Sequence, residues 1–233
     1  KYSMSNYAKQ VPIDVTVDLD KWGVSPGNSA ATNQAAIANV VTRLRAAQLP
    51  GFHLRINRQG TFNLTRGTDG SGLDKYATRK ACILLPSNTK FELGADTEIK
   101  LADNARSYLV RNDDPINGNE NIEICGGIWN GNGASGQAGD YDVYPNQGWY
   151  EQIMWGENID GFSLHDTIFT DPAIWCTAFT KMHDAIYRNI HFDNCHRDGL
   201  HFVGLCTDID ISHVTGSCHD NCIAFTTNEG TYF

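Results

Sequence analysis

Two acidic corners stand 23 positions apart near the end of this chain. One is Asn194-Cys-His-Arg-Asp-Gly-Leu-His-Phe202 and the other is Ser217-Cys-His-Asp-Asn-Cys-Ile-Ala-Phe225. In this alignment Cys195 meets Cys218, His196 meets His219, Leu200 meets Ile223 and Phe202 meets Phe225. Asp198 then lies over Asn221, with Asp220 immediately before it. Asp171-Pro-Ala-Ile-Trp-Cys-Thr-Ala-Phe179, one step earlier, brings Trp175 into the same line. If each step is one turn of a coil, equivalent residues sit about 4.8 Å apart. Trp175, Asp198, Asp220 and Asn221 would share a flank, with His196 and His219 beside them and His201 close in sequence. Two neighbouring carboxylates with a stacking aromatic suit glycoside hydrolysis: one stays protonated to donate to the leaving oxygen, the other stays ionised to activate water. Mutual repulsion would help raise the acid's pKa. Carboxyl separations of about 6.5–9.5 Å imply inversion and about 5 Å implies retention; adjacent coils fall near the boundary, which leaves the stereochemistry open. A plainer reading stands beside this one. Asp and Asn are common at solenoid corners, where they bond turn backbone, and Trp175 could be a core residue.

The elements that must position these residues follow from the repeat. Strand-like stretches, Asn158-Ile-Asp-Gly-Phe-Ser-Leu, Ala185-Ile-Tyr-Arg-Asn-Ile-His-Phe and Asp208-Ile-Asp-Ile-Ser-His-Val, fill the interval between corners, and Asn121-Ile-Glu-Ile-Cys-Gly-Gly-Ile-Trp is an earlier copy. A period near 23 with about three short β segments per turn and no helix marks a β-solenoid. Shorter strands are predicted over 15–19, 53–57, 61–64, 81–85, 90–93 and 98–101. Ile37, Val40, Val41 and Leu44 follow the spacing of one helical face. They predict a helix over 30–47, capped by Ser29 and closing the open end of the solenoid. The Gly-, Asn- and Tyr-rich stretch 131–150 interrupts the repeat. It reads as a lateral loop that brings Trp149 to the binding face.

Composition limits the alternatives. With 22 Gly, 10% aromatics and 19% charged residues, the chain is all-β in character. A formal charge of −9 disfavours nucleic acid as a partner. No apolar run reaches the roughly 18 residues of a membrane span. Seven cysteines without paired CxxC spacing argue against structural zinc, and no metal ligands are assigned. Cys195 and Cys218 would stack within disulfide reach, but the expectation is a ladder of buried, reduced thiols. His165, His183, His191 and His213 are scattered and receive no role. The chain opens on Lys1, which predicts that it is part of a longer protein.

At Asp198-Gly-Leu-His-Phe, Asp208-Ile-Asp-Ile-Ser-His-Val and His219-Asp-Asn-Cys-Ile-Ala-Phe the sequence resembles polygalacturonase-type glycoside hydrolases. In those enzymes an Asn-Thr-Asp-Gly segment precedes an Asp-Asp-Cys segment by about one coil. Trp22-Gly23, Gln34-Ala-Ala-Ile37, Gly60-Thr-Phe-Asn-Leu64, Pro86-Ser-Asn88 and Gly126-Gly-Ile-Trp-Asn-Gly-Asn132 resemble the opening of the wider pectate-lyase-like superfamily, which includes phage tailspikes. Thr227-Asn-Glu-Gly230, in the stretch from Cys218, is similar to phage tail-appendage proteins. The resemblance runs from about residue 12 to the end. It implies a single-stranded right-handed parallel β-helix with an N-terminal capping helix, in which residues 12–65 form the cap region and 80–233 the stacked coils of one domain. By the resemblance Asp198 is the water-activating base and Asp220 the general acid. Asn221 departs from the family's second Asp, and His196-Arg197 replaces its Asn-Thr. The family's later Gly-His-Gly and Arg-x-Lys elements would lie beyond Asp220, so another segment or chain would have to complete such a site.

Three functions remain. The first is hydrolysis of a cell-surface or cell-wall polysaccharide by Asp198 and Asp220, with Asn221 at the catalytic corner and Trp175, His196, His201, His219 and Trp149 contacting sugar. The second is glycan binding without cleavage, as in a phage receptor-binding module. The third is a metal-dependent lyase, with Asp198, Asp220 and Glu229 as oxygen ligands. No cofactor is assigned, although a divalent cation stays open for the lyase. An extracellular or virion-surface location and a homotrimer are expected by resemblance.

Overall fold

The computed structural model describes residues 11–66, 81–105, 107–137 and 153–226. Strand β1 (Val15–Asp18) leads into a 3-10 turn (Leu19–Trp22) and helix α1 (Ala30–Ala46). Ser29 caps α1 by accepting the Thr32 N–H at 3.2 Å. Ile37, Val40 and Val41 face inward, and α1 packs over β3 (Gly60–Leu64) and β4 (Ala81–Leu85). Buried Asn33 fastens this cap: its amide exchanges hydrogen bonds with both backbone groups of Ser25 and reaches the Asn63 carbonyl.

The remaining strands are β2 (Phe52–Ile56), β5 (Thr89–Leu93), β6 (Thr97–Leu101), β7 (Tyr108–Asn112), β8 (Asn119–Cys125) and β9 (Ile128–Asn130), then β10 (Met154–Thr170), β11 (Thr177–Cys195), β12 (Leu200–Val203), β13 (Thr207–Cys218) and β14 (Ile223–Thr226). All pairings are parallel, and they sort the strands onto three faces. The first face is β4, β7, the starts of β10 and β11, β12 and β14. The second runs through β1, β2, β5, β8, the middles of β10 and β11 and the start of β13. The third comprises β3, β6, β9 and the ends of β10, β11 and β13. This is the expected right-handed parallel β-helix, capped by α1.

β10 and β11 carry 17 and 19 residues, yet they are not straight. A straight strand of that length would run roughly 55 Å. β10 instead turns corners at Asn158, Gly161 and Asp166, where φ is 57°, 77° and 57°. Asn and Asp tolerate this left-handed backbone, so they supply most of the corners. Neighbouring coils link them: Asn121 Nδ2 donates to Asn88 Oδ1 at 2.8 Å and Asn189 Nδ2 to Asp166 Oδ1 at 2.6 Å. Gly126 and Gly127 form a tighter corner. A Cβ on Gly126 would stand 2.0 Å from the Leu93 carbonyl oxygen, so only glycine fits.

The core is a set of ladders. Leu54, Phe91, Ile124, Leu164, Tyr187 and Ile211 stack along the second face. Phe62, Ile99, Trp129, Phe169 and Phe192 stack along the third. Phe179, Phe202 and Phe225 stack along the first, with centroids 5.7 and 4.9 Å apart. The 23-residue step is the true register of β10 on β11 and of β12 on β14. Between β11 and β13 the step is 24 until a register shift between Phe192 and Cys195 returns Cys195 to Cys218.

Most of the cysteines are reduced, as expected: five of the seven are free thiols. The correction concerns Cys195, which forms a disulfide with Cys176 across 19 residues. Both face the interior of one coil, where the chain doubles back on itself, whereas Cys218 on the next coil stays a thiol. Of the expected lateral loop, residues 131–137 are described and include the short helix α2 (Gly133–Gly136). The rest, with Trp149, lies outside the described residues, as does Glu229.

Candidate functional site

The corner leading into β12 and the corner leading into β14 are locked in register by backbone pairing. Cys176 N–H donates to the Asp198 carbonyl, Gly199 N–H to that of Asn221 and Leu200 N–H to that of Cys222, each at 2.9 Å. Asp198 therefore sits over Asn221. The residue after it must be glycine, since a Cβ on Gly199 would meet the Cys222 carbonyl and the Phe192 ring at 2.7 Å.

Asp198 is 4% exposed, and both its oxygens have partners, Oδ1 in hydrogen bonds and Oδ2 in a close contact with an imidazole. Oδ1 accepts the Asn221 backbone N–H at 3.0 Å and its Nδ2 at 3.1 Å. Oδ2 lies 2.9 Å from His201 Nδ1. Burial alone pushes this carboxyl up. The hydrogen bonds from His201 and Asn221 outweigh burial and hold it below the usual carboxylate range. Asp198 is thus an anion whose acceptor capacity is largely filled. Its partners come from two coils, Asn221 on the next and His201 on its own.

Asn221 Nδ2 also donates to Asp220 Oδ1 at 2.9 Å, so one amide stands between the two carboxylates. Asp220 and Asn221 are exposed. The other ring nitrogen of His201, Nε2, lies 3.0 Å from Thr226 Oγ1, which gives a buried carboxylate–imidazole–hydroxyl chain from Asp198 to Thr226. Trp175 is 3% exposed and packs against His201 with ring centroids 4.6 Å apart. It stands where the register puts it, but its ring lies inside the protein. His196 and His219 form an edge-to-face pair at 5.5 Å beside the corner, and His196 Nε2 is 3.9 Å from Asp171 Oδ1. Asp198, Asp220, Asn221, His201 and Trp175 thus form one connected group, with the His196–His219 pair at its rim.

Two features escaped the sequence reading. Thr226 has no signal of its own; only the parallel register of β12 on β14 brings it to His201. The second is a set of Glu123, Cys125 and His165 on the second face, whose donor atoms all lie within 4.8 Å of one another. Glu123 and His165 are 42 positions apart, off the 23-residue period, and only the pairing of β8 with β10 joins them.

The fold has known relatives in structure. A candidate glycosyl hydrolase from Parabacteroides merdae matches at 13% identity with a TM-score of 0.56, covering 91% of this chain and 94% of that one. A family 28 exopolygalacturonase from Yersinia enterocolitica matches at 16% identity and TM-score 0.66, over 90% of this chain and 44% of its own. The tailspike protein of E. coli bacteriophage HK620 matches at 16% identity and TM-score 0.56, over 88% of this chain and 36% of its own. The chain thus spans less than half the length of the last two. No protein-family profile and no curated protein sequence matches it. At these identities the likeness concerns the fold. No helix among the described residues is long and apolar enough to cross a membrane.

Proposed function

We propose that this chain engages an extended polysaccharide at the corner formed by Asp198, Asn221 and Asp220. The observation that carries the reading is the Asn221 amide bonded to both carboxylates. Asp198 and Asp220 take both Nδ2 protons of Asn221, so the Asn221 amide oxygen and the exposed Asp220 carboxylate are left as a preorganised pair of acceptors. Such pairs match the vicinal hydroxyls of a sugar, and preorganisation lowers the ordering cost of binding. Parallel β-helix proteins named as glycosyl hydrolase, exopolygalacturonase and tailspike share this architecture, which favours a glycan over other polymers. An extracellular or virion-surface setting and a trimeric assembly belong to the same proposal.

Cleavage is the second reading, favoured by the two carboxylates facing one amide. Asp220 would be the acid and Asp198 the base, as in a glycoside hydrolase. In this geometry the Asn221 amide fills the space that the attacking water would need, and Asp198 has little acceptor capacity left for it. Binding is therefore the primary reading.

A glycan array probed with the chain, followed by reducing-sugar assays on every bound glycan, tests both readings. Binding that weakens at least tenfold in Asp220→Asn or Asn221→Ala, without release of reducing ends, is expected. Release of reducing ends that Asp220→Asn abolishes would establish cleavage instead. Glycan binding unchanged in both variants would overturn this corner as the contact.

A further inference from the structure

The outer side of the second face carries two rows of polar residues. His53, Lys90 and Glu123 align in one row; Arg55, Glu92, Cys125, His165 and Arg188 align in the next. Most members exchange charge pairs with their neighbours. Lys90 Nζ lies 2.9 Å from Glu123 Oε1 and 3.2 Å from Glu92 Oε2, and His53 Nε2 lies 3.1 Å from the same Glu92 oxygen.

Within this ladder Glu123, Cys125 and His165 differ from the rest. They bring a carboxylate oxygen, a thiol sulfur and an imidazole nitrogen to one point. His165 Nε2 is aimed at Glu123 Oε1, 3.2 Å away, while Nδ1 is held 2.7 Å from Asp166 Oδ2. Asp166 is itself fixed, by its left-handed corner and by the Asn189 amide at 2.6 Å. A carboxylate that orients a histidine so that its far nitrogen faces a set of donors is the usual support of a metal-ligating histidine. Cys125 is 6% exposed and points into the same group.

We propose that Glu123, Cys125 and His165 form a binding site for one divalent transition-metal ion of the zinc class, with a fourth position open to water and Asp166 as the residue that positions His165. Mixed nitrogen, sulfur and oxygen donors suit a borderline-soft ion such as zinc or cobalt and do not suit calcium or magnesium. Bonds of about 2.0–2.3 Å require the three donors to draw in slightly, which side-chain rotation can supply. The ligands come from β8 and β10 in successive coils, so the ion would staple the coils together.

Without metal the site is held by protons and by a lysine. Binding an ion releases the Cys125 proton, and at lower pH a His165 proton, to solvent; it also displaces the Lys90 ammonium from Glu123. The charged and titratable groups facing the site are Lys90, Glu92 and His53 on one side and Asp166 and Arg188 on the other. Uptake therefore strengthens as pH rises.

The test is a Co2+ titration of the chelator-stripped full chain at mildly alkaline pH, read by the thiolate-to-cobalt charge-transfer band and followed by Zn2+ displacement. One equivalent is expected, with the band lost in Cys125→Ser. Asp166→Asn should weaken binding about 10–100-fold, and Lys90→Met should tighten it by removing the competing cation. These two variants alter partly exposed groups and shift affinity in opposite directions, so they test the site even if Cys125→Ser misfolds. No band with excess Co2+, or a band kept in Cys125→Ser and lost in Cys218→Ser/Cys222→Ser, overturns the proposal.

Discussion

The outer surfaces of the first and second faces are built from the same coils yet obey different rules. On the first face outward residues are sealed. Trp155 is 3% exposed and forms a small cluster of its own with Tyr108, Ala81 and Ala178, apart from the main core. Arg111, Glu157 and His201 are buried beside it. On the second face outward residues such as Glu123, His165 and His183 stay in contact with water. Where water is excluded, each polar atom must be matched inside the protein, and Asp198 with its filled oxygens is the result. Where water remains, partners can exchange, and a lysine can yield its place to another cation. The sealed face can specify one geometry; the wet face can accommodate a ligand's demands.

The largest effect should come from the sealed face. Trp155→Ala removes a large ring that contacts Tyr108 at 5.5 Å, and should cost about 3–5 kcal/mol. Arg188→Ala, outward on the second face and exposed, should stay within about 0.5 kcal/mol. Denaturant unfolding of the two variants measures the contrast directly, and similar losses would mean that the first face is not sealed in solution.

Asp198→Asn should follow, at about 2–3 kcal/mol. The substitution keeps the shape but turns an amide donor toward the donors of Asn221 or His201. Asp220→Asn, one residue from Asn221 and exposed, should be nearly neutral for stability while weakening glycan binding. Thermal unfolding of this pair separates the structural carboxylate from the ligand-facing one.

The sequence disclosed the later coils far better than the earlier ones, for a physical reason. On the first face the interval between coils is constant from Met154 onward, so Phe179, Phe202 and Phe225 announce the ladder and Asp198 falls over Asn221. The helix was legible from its apolar spacing, and it ends at Ala46 against the expected 47. Burial was not legible. Nothing in Trp175-Cys-Thr or Asp198-Gly-Leu-His says that the tryptophan and histidine turn inward, because an aromatic and a carboxylate suit a sugar site and a satisfied corner equally well. The Cys176–Cys195 bridge was hidden too, since it joins two corners of one coil and not equivalent positions on successive coils. Before Met154 the interval changes from coil to coil on every face, 27 from Ala81 to Tyr108 and 44 from Val110 to Met154 on the first, 33 from Glu92 to Cys125 and 40 from Cys125 to His165 on the second, so Cys125 and His165 show no common period and Glu123 looks like an ordinary strand glutamate.

The pH dependence of stability should come from the wet face. The His165 hydrogen bond, then Lys90, hold the Glu123 carboxyl at about 2 against an ordinary 4.5. A depressed carboxyl stabilises fully above the unfolded value, so this contribution disappears as pH falls from about 4.5 to about 2. His165 is shifted the other way. Its contribution is complete below the ordinary 6.5 and is lost as pH rises through its higher folded value. Glu123→Gln should therefore flatten both limbs, by about 1 kcal/mol after solvent screening. Unfolding measured across this range checks the shape, and an unchanged acid limb in the variant would assign the dependence to Asp198 instead.

The smallest effect is the sharpest test of the contrast. His183 Nδ1 lies 3.1 Å from Asp160 on the coil before and Nε2 lies 3.4 Å from Asp208 on the coil after. It has the form of a continuous charge ladder, yet all three side chains are about half exposed or more, at 58%, 49% and 75%. Water competes for each of these contacts and salt screens them. His183→Ala should therefore change stability by less than about 0.5 kcal/mol, with no dependence on ionic strength beyond that of the parent. A loss above about 1 kcal/mol that shrinks in high salt would mean that the rows on the second face act together as one network. The second face would then hold its geometry as firmly as the first, and Lys90 would not readily give way to a metal at Glu123.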